Sequence, residues 1–166
     1  MAKNIKFLKY FLKLQFMLLS LKNYAGIVGE KLIQNIYEEA TPLDKKHVEH
    51  VNSTYYGGGV AEILSSLTLL MNDVGIKTGW RLLKGHPDFF NVTKKFHNAL
   101  QGGEIDISED TKKIYLENNE VNSKIMHLDF ADLLIIHDPQ PLPLINFYKK
   151  KQPWVWRVHI DLSAPN

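Results

Sequence analysis

The fold is decided by residues 48–72, which read VEHVNSTYYGGGVAEILSSLTLLMN. The first six, Val48–Ser53, predict a short strand, and three glycines follow at 57–59. Val60–Asn72 then predicts an amphipathic helix, because its apolar side chains recur at helical spacing and fall on one face. A strand that leads through glycines into a helix is typical of the first unit of a layered α/β domain.

The rest of the chain continues the same alternation. Further strands are predicted at Ile76–Leu83, Ala131–His137 and Trp154–Ile160, and helices at 27–37, 91–100, 109–121 and 141–151. The strand that ends at residue 137 is apolar apart from Asp132, as expected of a strand buried on both faces of a parallel sheet. Strands that alternate with helices imply right-handed crossovers. The predicted fold class is therefore α/β, a Rossmann-like doubly wound parallel sheet.

Length and composition exclude several classes of protein. The chain has 166 residues, the size of one domain and enough to bury a sizeable core. It has no cysteine, which excludes disulfide scaffolds, thiol nucleophiles and Cys-ligated zinc or iron–sulfur centres. The absence of cysteine also fits a reducing compartment, so we expect a cytoplasmic protein.

Charge is distributed unevenly along the chain. There are 20 Lys and Arg against 18 Asp and Glu, and residues 1–22 hold five of the lysines and no acid. The remainder therefore has 15 basic and 18 acidic residues, a net charge of −3. A domain with this net charge is not expected to have a broad basic surface, so nucleic acid is not expected as a partner.

Residues 1–22 form a basic and apolar N-terminal extension. Its longest uncharged stretch, Leu14–Leu21, is far shorter than the ~20 residues that a membrane span needs, and no clear signal-peptide cleavage site follows. A first helix or strand packed on the domain is the favoured interpretation. An amphipathic helix at a membrane surface and an extension outside the fold are the alternatives. The domain itself is predicted at 23–166.

The predicted sheet also indicates where a ligand would bind. Open parallel sheets bind ligands beside the carboxyl ends of their strands, where the strand order reverses. Gly57-Gly58-Gly59 lies at such an end, where bare backbone approaches a ligand closely and a helix N-terminus favours an anion. A phosphate or diphosphate is the expected ligand, and a tight structural turn is the alternative. The loop is neither a P-loop nor a Gly-x-Gly-x-x-Gly motif.

Two other strand ends each carry a histidine and an aspartate. His137 and Asp138 end one predicted strand, and His159 and Asp161 end another. A carboxylate accepts hydrogen bonds from sugar hydroxyls, and an imidazole stabilises developing negative charge. Each histidine taken singly also fits a structural role, but two such pairs at neighbouring strand ends favour a site.

No metal site is expected. His47 and His50 have ligand-like spacing, but residues three apart on a strand point to opposite faces, so a structural role is favoured for both. Hard divalent cations prefer clusters of carboxylates, and no Asp-x-Asp motif occurs.

Four blocks of the sequence resemble trehalose synthases of the glycosyltransferring type. They are HVNST with GGGVAE at 50–54 and 57–62, FFNVTKKFHNALQG at 89–102, HDPQP at 137–141 and WRVHIDLS at 156–163. Trehalose phosphorylases are similar over the same blocks, more distantly. The resemblance covers about residues 23–166 and does not extend to residues 1–22.

The resemblance implies the N-terminal half of a GT-B glycosyltransferase, in which two Rossmann-like domains face each other across a cleft. Such enzymes form trehalose by transferring glucose from a nucleotide donor to glucose, with retention of anomeric configuration. UDP- or ADP-glucose would then be a substrate, and no resident cofactor is required. The nucleotide-gripping C-terminal half has no counterpart here, so we expect a truncated domain that is inactive without a partner half. A homodimer is a further expectation.

The resemblance also implies roles for individual residues. Gly57, Gly58 and Gly59 would line the donor diphosphate, His159 would touch the donor glucose, and Asp138 would bind acceptor hydroxyls. His159 and Asp138 are thus the catalytic candidates, with Asn98, Gln140 and Asp161 as further sugar contacts. The alternatives are a sugar- or phosphate-binding module without turnover, a trehalose phosphorylase fragment, and an unrelated Rossmann-type nucleotide enzyme.

Overall fold

The computed structural model describes residues 20–149 and 151–166. The strands are β1 His47–Asn52, β2 Lys77–Leu82, β3 Leu133–His137 and β4 Trp154–Arg157. The α-helices are α1 Ala25–Val28, α2 Glu30–Ala40, α3 Gly59–Asp73, α4 Pro87–Leu100 and α5 Glu109–Met126. Short 3-10 helices lie at Leu21–Tyr24, Thr41–Leu43, Leu128–Phe130 and Leu142–Asn146.

The strands form one parallel sheet in the order β2-β1-β3-β4. The chain moves outward from β1 to β2, then returns past β1 to add β3 and β4 on the other side. This confirms the predicted Rossmann-like α/β class. The strand order reverses between β1 and β3, so the crevice where such sheets bind ligands lies at the carboxyl ends of these two strands.

Helices cover both faces of the sheet. Helices α2 and α3 pack on one face, here called the α3 face, over a cluster that contains Ala40, Val48 and Ile76. Helices α4 and α5 cover the opposite α5 face, over a larger buried cluster of Val51, Leu83, Phe89, Met126, Leu128, Ala131, Leu134, Ile136 and Leu144. Because side chains alternate along a strand, neighbouring residues of β1 belong to different faces.

Several helix ends follow from local chemistry. The hydroxyl of Ser108 accepts the main-chain N–H of Thr111 at 3.2 Å and caps α5, as its sequence predicts. Helix α4 begins at Pro87 rather than at the predicted residue 91, because proline suits a first turn whose N–H groups have no partner. Gly29, with a φ of 86°, divides the helix predicted at 27–37 into α1 and α2.

Three predicted elements are wrong in kind or length. Helix α5, predicted to end at residue 121, continues to Met126. Within the helix predicted at 141–151, the described residues form only the 3-10 helix Leu142–Asn146, because Pro143 cannot donate an N–H and disfavours helical backbone in the residue before it. The strand predicted to reach Ile160 ends at Arg157. It ends there because the next available N–H, that of His159, donates to a side-chain carboxylate instead of a strand carbonyl.

Most of the N-terminal extension, residues 1–19, lies outside the described residues. In the described part, Leu21 is buried and its N–H donates to Asp73 at the end of α3, at 2.9 Å. The hydroxyl of Ser20 donates to the same carboxylate at 3.2 Å. None of the helices in residues 20–149 and 151–166 is long and apolar enough to cross a membrane.

A carboxylate is buried on the α5 face of β1. Glu49 is 2% exposed, and Arg81 Nε and His47 Nε2 each lie 3.2 Å from one of its oxygens. Burial raises the pKa of Glu49, and the positive charge of Arg81 acts against this effect. Gly79 leaves room for the carboxylate, since a Cβ there would lie 2.5 Å from Glu49 Oε2. We call Glu49, Arg81, His47 and Gly79 the glutamate cluster.

Candidate functional site

The crevice between β1 and β3 brings together the main predicted site segments. The glycine loop follows β1, Asp138 follows β3, and His159 lies two residues beyond β4. Because the strands are parallel, their carboxyl ends share one edge of the sheet. The three segments therefore lie at the same edge.

The backbone of the glycine loop has a conformation that glycine adopts more easily than other residues. Gly57 and Gly58 have φ of 76° and 106°, in the region that favours glycine, and Gly59 is the first residue of α3. No atom lies within 4 Å of a Cβ built on any of the three. The N–H groups in the first turn of α3 lack partners within the helix, so this open loop can accept an anion.

Aromatic side chains flank the loop. Tyr55 stacks on Trp80 with ring centroids 5.1 Å apart, and Trp80 Nε1 donates to Asn52 Oδ1 at 2.8 Å. Tyr56, by contrast, is 91% exposed. The start of the loop is thus anchored to β1 and β2, while Tyr56 and the glycines face solvent.

Asp138 and His159 are in direct contact. Asp138 Oδ1 accepts the main-chain N–H of His159 at 2.8 Å. Asp138 has a φ of 61°, its N–H donates to the carbonyl of Arg157, and its carbonyl accepts from Trp156 Nε1. The carboxylate therefore shapes the segment after β4. Its Oδ2 has no hydrogen-bond partner among the described residues and can take a ligand hydroxyl.

His159 is also the outer end of a chain of three stacked histidines. Its Nε2 lies 2.8 Å from Nδ1 of His137, and Nε2 of His137 lies 2.9 Å from Nδ1 of His50. The successive ring centroids are 5.1 and 5.2 Å apart. We call these residues the histidine chain. It runs from the middle of β1, on the α3 face, to the carboxyl edge of the sheet.

The two inner rings of the histidine chain are enclosed, since His50 and His137 are each 1% exposed. Burial lowers the pKa of His50 to about 4, and the positive charge of Arg157 adds to this effect. Burial also lowers the pKa of His137 to about 3, with smaller contributions from the neighbouring histidines and Arg157. Both rings are therefore neutral at physiological pH.

Gln140 and Asp161 extend the same edge. The main-chain carbonyl of Gln140 accepts from Asn119 Nδ2 at 3.1 Å, which ties the segment after β3 to α5. Asp161 is exposed and accepts from both the N–H and the hydroxyl of Ser163. These hydrogen bonds lower the pKa of Asp161. Both residues follow strands that end at this edge of the sheet, β3 for Gln140 and β4 for Asp161.

Asn98 lies on a helix rather than after a strand. It is exposed on the last turn of α4, far along the chain from the strand ends. The end of that helix contacts the C-terminal residues, because the N–H of Asn166 donates to the carbonyl of Ala99 at 2.9 Å. Asn98 is thereby held near the segment that follows β4.

Sequence reasoning missed the contact of His50 with His137. Its assignment as a residue facing away from His47 is confirmed, since His47 contacts Glu49 while His50 contacts His137 on the other face. His50 and His137 are 87 residues apart and meet because β1 pairs with β3. A signal was present: each of the two strands has a histidine at a position whose side chain faces inward.

Two cavities in the described part of the chain lie away from this edge. One, of about 460 Å³, lies between α5 and the residues around Tyr148. The other, of about 580 Å³, lies between α4 and α5 beside Phe89 and Ile125. None of the predicted site residues lines either cavity. Residues 20–149 and 151–166 contain no group of three or more His, Asp or Glu that could hold a metal ion.

Several known proteins are similar in sequence to this chain over most of its length. The chain is 53% identical over 147 residues to the trehalose synthase of Thermococcus litoralis, covering 88% of this chain and 36% of that protein. It is 38% identical over 152 residues to the trehalose synthase of Rubrobacter xylanophilus, covering 89% and 36%. It is 27% identical over 159 residues to a trehalose phosphorylase of Pleurotus pulmonarius, covering 87% and 22%.

The chain thus spans about a third of the length of the synthases it matches. A family model described as the N-terminal domain of trehalose synthase matches residues 50–166. That range begins at the inner end of the histidine chain and includes the glycine loop, Asp138 and His159. The chain therefore belongs to the trehalose synthase N-terminal domain family.

Proposed function

We propose that this chain is the acceptor-side domain of a retaining glucosyltransferase, which forms trehalose from glucose and a nucleotide-activated glucose. A second, nucleotide-binding domain supplies the other side of the cleft, in the manner of a GT-B enzyme. The observation that carries the proposal is that the glycine loop, Asp138 and His159 follow strands that end at one edge of the sheet, with Asp138 in direct contact with His159. The similarity to proteins named trehalose synthase supports the choice of substrates.

Each part of the edge has a role in this proposal. The donor diphosphate lies beside the open backbone of Gly57, Gly58 and Gly59 and the N-terminus of α3, which favour negative charge. His159 contacts the glucose being transferred, and the free Oδ2 of Asp138 accepts from a hydroxyl of the acceptor glucose. Asn98, Gln140 and Asp161 are further polar contacts for the sugars.

The chemistry needs little covalent participation from the protein. The acceptor hydroxyl oxygen forms a bond to the anomeric carbon on the same face from which the diphosphate departs. The bond between that carbon and the diphosphate oxygen breaks, and the hydroxyl proton passes to the departing phosphate. The described residues contribute by orienting both sugars and by stabilising charge on the diphosphate.

A hybrid enzyme tests the proposal. In it, residues 23–166 replace the region of the Thermococcus litoralis trehalose synthase with which they align. We expect the hybrid to form trehalose from glucose and UDP- or ADP-glucose, measured by chromatography, and the 166-residue chain alone to form none. A folded hybrid that is inactive with every nucleotide-glucose would contradict the proposal. Turnover by the chain alone would contradict the need for a second domain.

The similarity to a trehalose phosphorylase supports a second candidate, a domain that serves phosphorolysis of trehalose. The same hybrid separates the two. Incubation with trehalose and inorganic phosphate would release glucose 1-phosphate if the phosphorolytic function were correct. We expect no such product, because the identity to the synthases is higher.

A further inference from the structure

We propose that His50 and His137 are positioning residues which, together with Met71, fix the tautomer of His159 and present its Nδ1 as a hydrogen-bond acceptor. The partner is a hydroxyl group of the bound sugar. The identity of this hydroxyl donor rests on the proposed function, whereas the tautomer is a property of the chain itself.

The inner end of the histidine chain sets the direction of its hydrogen bonds. His50 Nε2 lies 3.5 Å from the sulfur of Met71, a residue of α3. A thioether sulfur is a weak acceptor and has no hydrogen to donate. We infer that His50 carries its proton on Nε2, directed at Met71, because an unprotonated Nε2 would find no donor in this contact. Its Nδ1 is then an acceptor.

The remaining protons follow by counting. A neutral imidazole has one N–H, and each contact within the histidine chain needs one donor. Since Nδ1 of His50 accepts, Nε2 of His137 must donate to it across 2.9 Å. Nδ1 of His137 then accepts, so Nε2 of His159 must donate across 2.8 Å. Nδ1 of His159 is left with a lone pair and has no partner among the described residues.

The count requires that the inner rings stay neutral, and their surroundings ensure this. Both are buried, and Arg157 is the charged group whose field reaches them. The histidine chain is also closed to proton transport at its inner end, because the sulfur of Met71 cannot take up a proton. The arrangement therefore orients His159 and does not conduct protons.

The tautomer of His159 matters because it decides whether Nδ1 offers a ligand a hydrogen-bond acceptor or a donor. With the proton on Nε2, Nδ1 of His159 accepts from a hydroxyl. If the hydrogen bonds between the three rings ran in the opposite direction, Nδ1 would carry the proton and donate. The hydrogen bond from the His159 main-chain N–H to Asp138 fixes the backbone of the same residue. Backbone and ring of His159 are thus held independently.

Nitrogen NMR on the full chain with ¹⁵N-labelled imidazoles tests the proposal without any ligand. At pH 7.5 we expect Nε2-protonated rings for His50, His137 and His159. In Met71→Leu the sulfur is lost, the direction is no longer imposed, and Nδ1-protonated forms should appear at all three residues together. The matched control is Met126→Leu, which changes a methionine buried among apolar side chains of the α5 face and should leave the tautomers unchanged.

Two NMR results would overturn the proposal: an Nδ1-protonated His159 in the unsubstituted chain, or tautomers in Met71→Leu that match those of the control. The hybrid enzyme supplies a second readout. If Met71→Leu leaves about half of the molecules with an accepting Nδ1, KM should rise about twofold at unchanged kcat. An inactive hybrid would contradict the proposed function, while the NMR result would still decide the tautomer.

Discussion

Two buried polar groups lie on opposite faces of β1, and they differ in whether all their hydrogen-bonding atoms have partners within the protein. On the α5 face, the carboxylate of Glu49 is enclosed by Arg81 and His47. On the α3 face, His50 begins a chain of rings that leaves the core at His159. Both oxygens of Glu49 thus have partners within the glutamate cluster, whereas the histidine chain ends in a nitrogen without a partner in the described protein.

We interpret this difference as the difference between a buried polar cluster that serves the fold and one that serves ligand binding. Buried polar groups are almost always satisfied, so a closed cluster needs no explanation beyond the fold. In our proposal, the unpaired Nδ1 of His159 accepts from a bound ligand, at the edge where open parallel sheets bind ligands. Burial alone does not distinguish the two, because Glu49 and His137 are equally inaccessible.

The histidine chain should respond most strongly in turnover. In the hybrid, His159→Ala removes the ring that contacts the sugar, and we expect kcat/KM to fall about 100-fold, or roughly 2.7 kcal/mol of transition-state stabilisation. The free energy of unfolding should fall by about 1–2 kcal/mol, because Nδ1 of the buried His137 loses its partner. Steady-state kinetics and urea unfolding measure the two quantities. The exposed His86→Ala is the control, and turnover of His159→Ala within about threefold of it would leave His159 a structural role only.

The glutamate cluster should respond in stability instead. In Gly79→Ala the new methyl group would lie 2.5 Å from Glu49 Oε2, and we expect a loss of about 2 kcal/mol in the free energy of unfolding. Urea unfolding measures this loss. The turnover of the folded hybrid should be unchanged, because the substitution lies on the α5 face. An unchanged urea midpoint would show that the carboxylate moves aside at no cost.

The pH dependence of stability should depend on the histidine chain. The pKa of His137 is about 3 in the folded protein and near 6.5 when unfolded, so between these values the unfolded chain binds more protons. Stability therefore falls as pH falls through this window, by about 1.4 kcal/mol per pH unit for each such histidine near pH 5.

His137→Gln removes one of these histidines, so the slope of unfolding free energy against pH should decrease by that amount. Urea unfolding at several pH values from 4.5 to 6 measures it. His86→Gln, which replaces an exposed histidine, should keep the original slope. Equal slopes for the two variants would mean that His137 is not held neutral.

The smallest effect is expected at the glycine loop. Gly58→Ala should lower the free energy of unfolding by about 1 kcal/mol, because alanine is strained at a φ of 106° although nothing occupies the space beside it. Gly59→Ala is the matched control, since Gly59 is the first residue of α3 and has the same open surroundings without a positive φ. It should be neutral or slightly stabilising. Equal losses would indicate tight packing around the loop.

Local patterns allowed most of the fold to be predicted. Alternation and helical spacing identified β1, α3, β2 and β3 within one or two residues. Two failures have local causes: Pro143 limits the described part of the helix predicted at 141–151 to a short 3-10 helix, and the Asp138 carboxylate takes the N–H of His159 and ends β4 early.

Less of the site could be predicted, because it depends on which strands are neighbours. The sequence placed Gly57, Asp138 and His159 at strand ends, and the shared edge follows from a parallel sheet. The contact between His50 and His137 requires β1 beside β3, and no local pattern encodes that order. The direction of the hydrogen bonds in the histidine chain is even harder to predict from the sequence, because it depends on a side-chain contact between α3 and β1.

A crystal structure of the hybrid with glucose and a nucleoside diphosphate bound tests the assignment of the site most directly. We predict a sugar hydroxyl within about 3.2 Å of His159 Nδ1 and the diphosphate beside the N–H groups of Gly58 and Gly59. Sugar bound instead in the cavity between α4 and α5, with the edge between β1 and β3 empty, would contradict the assignment.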